Sequence, residues 1–356
     1  MTQPSGTGQP NGHGWWRLLM IYPLAALAGW ICSTLHLPLP WMIGPLLMTA
    51  GLSLRGVIHR PLPVRTRPFG QAVVSTTVGL SFTGDALAIV LDLLPLLVGM
   101  AAMTTGFSLV VAFIQARLAG VRLSRMVLAT FPLAPVEAAI IAESVGQPAA
   151  PVVIAQSLRI AAVVVVIPSL LYLIDGASRG LVAGVGTATA FLDPWLLTLP
   201  LIGLAGGLLF KHLKWANPFF LGPLTIAASL TATGIILPHY PHLILATAQM
   251  VLGAWLGSTF QASLLRGAGR ELTISLLGTL CLLLLTCGSA AILARFTPLD
   301  WRSAVLGIAP GGVTEMALTA QFLHQSVPVV TAAQVVRIFL LMPLARPLIR
   351  WTERFG

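Results

Sequence analysis

The sequence predicts an all-α polytopic membrane protein made of two homologous repeats, each of five to six transmembrane segments and each carrying a broken or re-entrant helix. Three observations predict it. The composition is 56% hydrophobic and 8% charged, whereas about a quarter of residues are charged in soluble domains. Apolar windows of about 20 residues, the length that spans ~30 Å of hydrocarbon, recur between short polar joints. The third observation is self-similarity at one constant offset.

Moving the sequence by 178 positions lays PWMIGPL (40–46) on PFFLGPL (218–224), pairing Pro40 with Pro218, Gly44 with Gly222 and Pro45 with Pro223. Without any gap the same offset pairs Gln71 with Gln249, Gly79 with Gly257, Pro132 with Pro310, Glu137 with Glu315, Gln156 with Gln334 and Arg159 with Arg337. Leu and Ala coincidences carry little weight in so apolar a chain; Gln, Glu, Arg and Pro coincidences carry much more. The expected organisation is a disordered N-terminal tail (1–16), membrane repeat 1 (17–175), a Gly- and Ala-rich linker (176–192), membrane repeat 2 (193–350) and a basic C-terminal end (351–356).

In order, the first repeat offers apolar segments near 17–35, 38–57, 68–84, 93–117, 124–146 and 150–174, and the second follows by the offset. The tail has no basic stretch or small-residue cleavage site, so the first segment reads as an uncleaved span. PWMIGPL suits a helix start at the interface, with Pro welcome in the first turn and Trp41 in the aromatic belt, and a kinked hairpin between the first two segments. The fifth segment is the unusual one. It holds PLAP (132–135) in one repeat and PGG (310–312) in the other. An internal Pro removes a helix hydrogen bond and Gly weakens the helix, so it should break there. Broken helices at membrane depth persist only against protein or a water-filled cavity.

Whether the fifth segment crosses or returns sets the symmetry: six spans make the repeats parallel, five make them inverted. Inversion puts 15 Lys and Arg residues on one face and 3 on the other; parallel repeats give 14 and 4. The positive-inside rule therefore favours inversion, with a cytoplasmic N-terminus and the bacterial inner membrane as the expected location. The net charge of +10 lies in joint clusters such as Arg55, Arg60, Arg65 and Arg67, facing an anionic leaflet. A nucleic-acid partner would need one contiguous basic face, so none is expected. The three cysteines, Cys32, Cys281 and Cys287, all lie in apolar segments and suggest neither disulfide nor metal.

Ionisable groups within a bilayer cost at least ~2.5 kcal/mol and default to functional candidates. Here these are Glu137, Glu315, Arg159 and Arg337. In each repeat Glu and Arg are 22 residues apart, so one reading pairs them as a structural lock between the fifth and sixth segments. A second places Glu315, three residues past Gly312, on free N–H groups of a new half-helix. The functional reading makes the two broken helices a transport site, with a proton or Na⁺ at the glutamates, an anionic group at Arg159 or Arg337, and Gly311 and Gly312 as a backbone anion nest. Gln156 and Gln334, three residues before the arginines, share their helix face. Gln71 and Gln249 read as cross-helix bonders, Glu143 as an interfacial charge, and the GLAGG stretch (203–207) as a close-packing face within or between chains. His239 and His242 make the only close histidine pair, and no catalytic residue, cofactor or metal is expected.

PWMIGPL, repeated as PFFLGPL, with PGGVTEMAL near the end of the second copy, resembles the duplicated AbrB membrane protein family over about residues 20–350. The plan is also similar to inverted-repeat secondary transporters with Gly-rich broken segments. Names within the family, regulator of gene expression and ammonia monooxygenase, imply activities that no residue pattern here supports directly. The resemblance leaves a secondary transporter of a small molecule or ion as the first expectation, a membrane-embedded regulator without transport as the alternative, and an oxidoreductase subunit as the least expected. A homo-oligomer is compatible with all three. PLAP departs from Pro-Gly-Gly, so the two half-sites should be unequal and an ion role falls to Glu315 before Glu137.

Overall fold

The computed structural model describes residues 14–174, 194–215, 217–261 and 269–353, and among these there is no strand. The expected linker and the first thirteen residues of the expected tail lie outside them; Gly14–Trp16 already belong to the first helix. The first repeat comprises α1 (Gly14–Thr34), α2 (Pro40–Leu54), α3 (Arg67–Gly79), α4 (Gly84–Asp92), α5 (Leu94–Ala119), α6 (Leu123–Thr130), α7 (Pro135–Ser144) and α8 (Ala149–Ile174). The second comprises α9 (Thr198–His212), α10 (Pro218–Ala232), α11 (His242–Ser258), α12 (Gly269–Phe296), α13 (Trp301–Ile308), α14 (Val313–Phe322) and α15 (Val327–Thr352). Adding 178 to both ends of α2, α6, α7 and α8 lands on both ends of α10, α13, α14 and α15. Five stretches, Leu94–Ala119, Ala149–Ile174, Trp195–His212, Gly269–Phe296 and Val327–Ala345, are long and apolar enough to cross a bilayer. The chain is thus an all-α, multi-pass membrane protein.

Contacts between helices give the relation of the repeats. Gly253 abuts Met42 and Gly257 abuts Leu46 and Thr49, so α11 runs parallel to α2. Gln71 bonds Asn217 at 2.9 Å and Gly79 abuts Leu224 and Ala227, so α10 runs parallel to α3. Arg67 stacks over Trp255 at 4.7 Å while Gly70 abuts Leu252 and the Ala248 carbonyl, so α3 and α11 are antiparallel. It follows that α2 and its counterpart α10 point in opposite directions. The same holds for α5 and α12, where Gln115 Nε2 donates to the Ile274 carbonyl at 3.0 Å and Arg270 to that of Leu118 at 3.0 Å. The repeats are inverted.

The fifth segment is re-entrant. Gln147, just past α7, donates from Nε2 to Oγ of Ser124, at the start of α6, at 2.6 Å. Entry and exit therefore lie on one side, and α6 and α7, eight and ten residues long, reach only ~12–15 Å, half the hydrocarbon thickness. The second hairpin repeats the tie between Ser303 Oγ and Gln325 Oε1 at 3.5 Å. Each hairpin returns to its own face, so the two enter from opposite faces.

Two details differ from the sequence reading. The third segment stops at Gly79, and the chain turns by 91° into α4; Thr83 caps that helix by accepting the Ala86 N–H at 3.3 Å. The helices at the centre are short, because close backbone approach rather than length holds them. Gly44 meets Ala28 and Gly29 in the α1–α2 hairpin, and Gly206 meets Gly222 in the α9–α10 hairpin. The GLAGG stretch therefore packs within the chain. The face holding the starts of α3 and α10 carries Arg55, Arg60, Arg65, Lys211 and Lys214, and the opposite face carries Asp85, Asp92 and Asp300.

Candidate functional site

Each hairpin breaks at Pro and leaves the last carbonyls of its first half-helix without partners, because the next residues no longer supply helical N–H groups. The sixth segment satisfies them. Gln156 Nε2 donates to the carbonyls of Leu128 and Phe131, and Arg159 donates from Nη1 to Thr130 and Phe131 at 2.9 and 2.8 Å and from Nη2 to Leu133 at 3.4 Å. Across the pseudo-two-fold, Gln334 Nε2 donates to Leu306, Gly307 and Ala309. Arg337 donates to Ala309 at 2.6 Å and Gly311 at 2.7 Å. A cation at a helix C-terminus is favoured by the helix dipole, and a guanidinium fork suits two or three carbonyls at once. Arg159 and Arg337 are each 2% exposed, and sit ten residues, ~15 Å, into α8 and α15, the depth of mid-bilayer.

This corrects the ion-pair reading. Arg159 and Arg337 do lock the fifth and sixth segments together, but through backbone carbonyls and not through Glu137 or Glu315. The glutamates instead occupy the third position of the second half-helices, where a carboxylate reaches back toward the N-terminus. The carboxylate of Glu137 is turned back toward the Ala134 N–H. Glu315 folds over Gly312 closely enough that a Cβ there would collide with its carboxylate. Gly312 has φ −78°, which any residue adopts, so it is space for Glu315 that calls for glycine. That side of the proposed anion nest is thereby covered. Leu133 and Ala134 stand at the matching positions of the first hairpin, so the two tips differ.

The two tips meet. Glu137, Arg159, Glu315 and Arg337, with Gly311 and Gly312, line one cavity of about 80 Å³. A fifth charge joins them that the sequence reading assigns to the loop: Arg67, half-buried on the first turn of α3, lines the same cavity, and its field reaches both carboxylates. The repeat offers no signal for it, since Arg65 and Arg67 both have leucines, Leu243 and Leu245, as repeat partners. Asn217, which fixes Gln71, and Trp255, under Arg67, complete that mouth. It opens toward the basic face.

On the other face a pocket of about 230 Å³ is lined by Ser33, His36, Tyr172, His242, Gln249 and Gln321, among others. Leu318 and Phe322 of α14 wall it, so the second hairpin borders both openings. Gln249 thus lies at this pocket, whereas its partner Gln71 is a cross-helix bonder. Glu143 is exposed. Among the described residues, no group of three or more His, Cys, Asp or Glu is close enough to share a metal ion, and the three cysteines are free.

The sequence profile of the family described as "Transition state regulatory protein AbrB" matches residues 1–173 and again 62–353. A Bacillus subtilis (strain 168) protein named "Uncharacterized protein YhjN" is 27% identical over 366 aligned residues, covering 93% of this chain and 92% of its own. An Escherichia coli (strain K12) protein named "Putative regulator AbrB" is 24% identical over 347, covering 96% and 97%. Since these matches run along both inverted repeats and not along one module, the chain belongs to the AbrB family.

Proposed function

We propose that the protein is a secondary transporter that carries a small solute through a site between the two hairpin tips, coupled to H⁺ or Na⁺ at the glutamates. The observation that carries this reading is the meeting of two opposed re-entrant tips around five charged side chains inside an otherwise apolar molecule. Lipid penalises such groups heavily, and paired interrupted helices at mid-membrane are a general way of building a solute site. The openings on the two faces, separated by the tips, suit alternating access: a small tilt of the hairpins would trade one opening for the other. The basic face is the cytoplasmic one in this reading, with the N-terminus inside a bacterial inner membrane.

The test is solute-driven current or flux in proteoliposomes containing the purified chain. Glu315→Gln is expected to abolish coupled flux while leaving the melting profile intact; unaltered flux in that variant rejects the site. The printed name of the Escherichia coli relative favours a second reading, a membrane-embedded regulator without transport. That reading predicts no flux of any solute and a stable protein partner recovered by crosslinking.

A further inference from the structure

We infer that the cavity between the tips takes a small monovalent anion together with protons on Glu137 and Glu315, with Arg67 as the residue that recognises the anion. This rests on the transport reading and names its substrate class.

Symmetry isolates Arg67. The pseudo-two-fold exchanges Glu137 with Glu315 and Arg159 with Arg337, but it sends Arg67 to Leu245, which lines the pocket on the opposite face. One mouth therefore carries a cation and the other does not. Arg159 and Arg337 commit their terminal nitrogens to the tip carbonyls. Their Nε–H groups, fully buried, have no partner, and both side chains border the cavity. Buried donors of this kind call for an acceptor.

The sum of charges points the same way. Three arginines and two ionised glutamates leave +1. The positive ends of α7 and α14 are offset by the negative ends of α6 and α13, each equivalent to roughly half a charge. Protonating both glutamates raises the total to +3. A bound cation would make every one of these states worse, whereas a monoanion relieves them, and relieves them more with each proton taken up. Anion and protons therefore bind cooperatively, each favouring the other by the same factor. The groups facing the glutamates are Arg67 from α3, Arg159 from α8 and Arg337 from α15, with Asn217 just before α10 and Trp255 from α11; none of these is another acid, histidine or lysine. About 80 Å³ limits the anion to a handful of non-hydrogen atoms.

The experiment uses the full chain in nanodiscs, with sodium pyruvate and sodium glycolate as probes and sodium chloride and lithium chloride as controls. Binding is read by calorimetry and melting, and current in proteoliposomes on a supported membrane. Wild-type affinity for the carboxylate should tighten as pH falls from 8 to 6, by up to about tenfold per pH unit for each of the two protons taken up. Arg67→Gln should weaken it at least tenfold at every pH, and Arg67→Lys should restore most of it. The double variant Glu137→Gln, Glu315→Gln should bind at pH 8 more tightly than the wild type does at that pH, with a flat pH profile, an outcome that a merely structural role for the glutamates would not produce. Affinity indifferent to Arg67→Gln in a folded protein, a flat wild-type profile, or stabilisation by Li⁺ or Na⁺ irrespective of the anion would overturn the inference. Cation flux with no anion requirement would overturn it and leave the transport reading standing. Anion binding without any flux would support the site and overturn transport.

Discussion

Arg337→Gln tests whether the sixth segment holds the hairpin tip. The guanidinium makes two bonds, 2.6 Å to Ala309 and 2.7 Å to Gly311. Hydrogen bonds from charged donors contribute about 1.5–3 kcal/mol each, so about 3–6 kcal/mol of local fixing is lost. Removing a buried charge returns some of this, about 2.5–3.5 kcal/mol on insertion scales. The net is about 0.5–2.5 kcal/mol, a rise of about 2- to 70-fold in the population of opened tips. Amide hydrogen exchange in nanodiscs reads this directly. Peptides covering Ala309–Glu315 should exchange about 2- to 70-fold faster, and peptides from α2, which makes no hydrogen bond to Arg337, should keep their rates within twofold. Arg159→Gln should loosen the first hairpin in the same way, with Phe131–Glu137 as the reporter. Unchanged exchange at the tip would refute the reasoning, because it would mean that Gln334 and packing alone hold the break. Equal acceleration everywhere would refute it too, by making Arg337 a global stability residue.

Gly257→Ala should lower the melting temperature by several degrees, because its Cβ meets the Leu46 carbonyl and Thr49 and overpacking costs about 1–3 kcal/mol. Gly288→Ala, with no atom within 4 Å of the added carbon, should be neutral or stabilising by up to about 1 kcal/mol from helix propensity. Single cysteines at Pro148 and Ser326, both exposed at the open ends of the hairpins, should react with an impermeant maleimide from opposite faces once Cys32, Cys281 and Cys287 are replaced; labelling from one face would sink the inversion. Gln147→Leu removes the donor that ties both ends of the first hairpin through Ser124, and should speed exchange of α6 and α7 about three- to tenfold, as expected for one net bond of about 1 kcal/mol.

The repeat and its broken segment are legible in sequence because polar residues and prolines are scarce, so a constant offset among them stands out. The break at PLAP and PGG is legible for a local reason, the loss of helix hydrogen bonds at Pro. Crossing versus returning is harder to read. It depends on where Gln147 finds Ser124, a long-range bond that no local pattern encodes. The partners of Arg159 and Arg337 are hidden for a similar cause: a 22-residue separation brings an arginine near a glutamate, but it does not say that carbonyls freed by the break lie closer. Arg67 is masked by Arg55, Arg60 and Arg65 in the same joint, and the repeat does not separate it from them, since Arg65 and Arg67 both pair with leucines, Leu243 and Leu245. The short helix α4 carries its own signal in Thr83 and Asp85, a cap followed by an acid in the first turn, inside what reads as one long span and its joint.

The pairing of α2 with α11 and of α3 with α10 means that each repeat lends its central helices to the other. Met42, Leu46, Val74 and Val78 share one apolar cluster with Phe220, Leu224, Leu252 and Leu256. A solitary half would leave its glycine grooves facing acyl chains, with nothing to fill them. Two half-chains made separately could rebuild the molecule only if they entered the bilayer with opposite orientations. The arrangement is what gene fusion would leave behind from an antiparallel homodimer of one ancestral five-span chain.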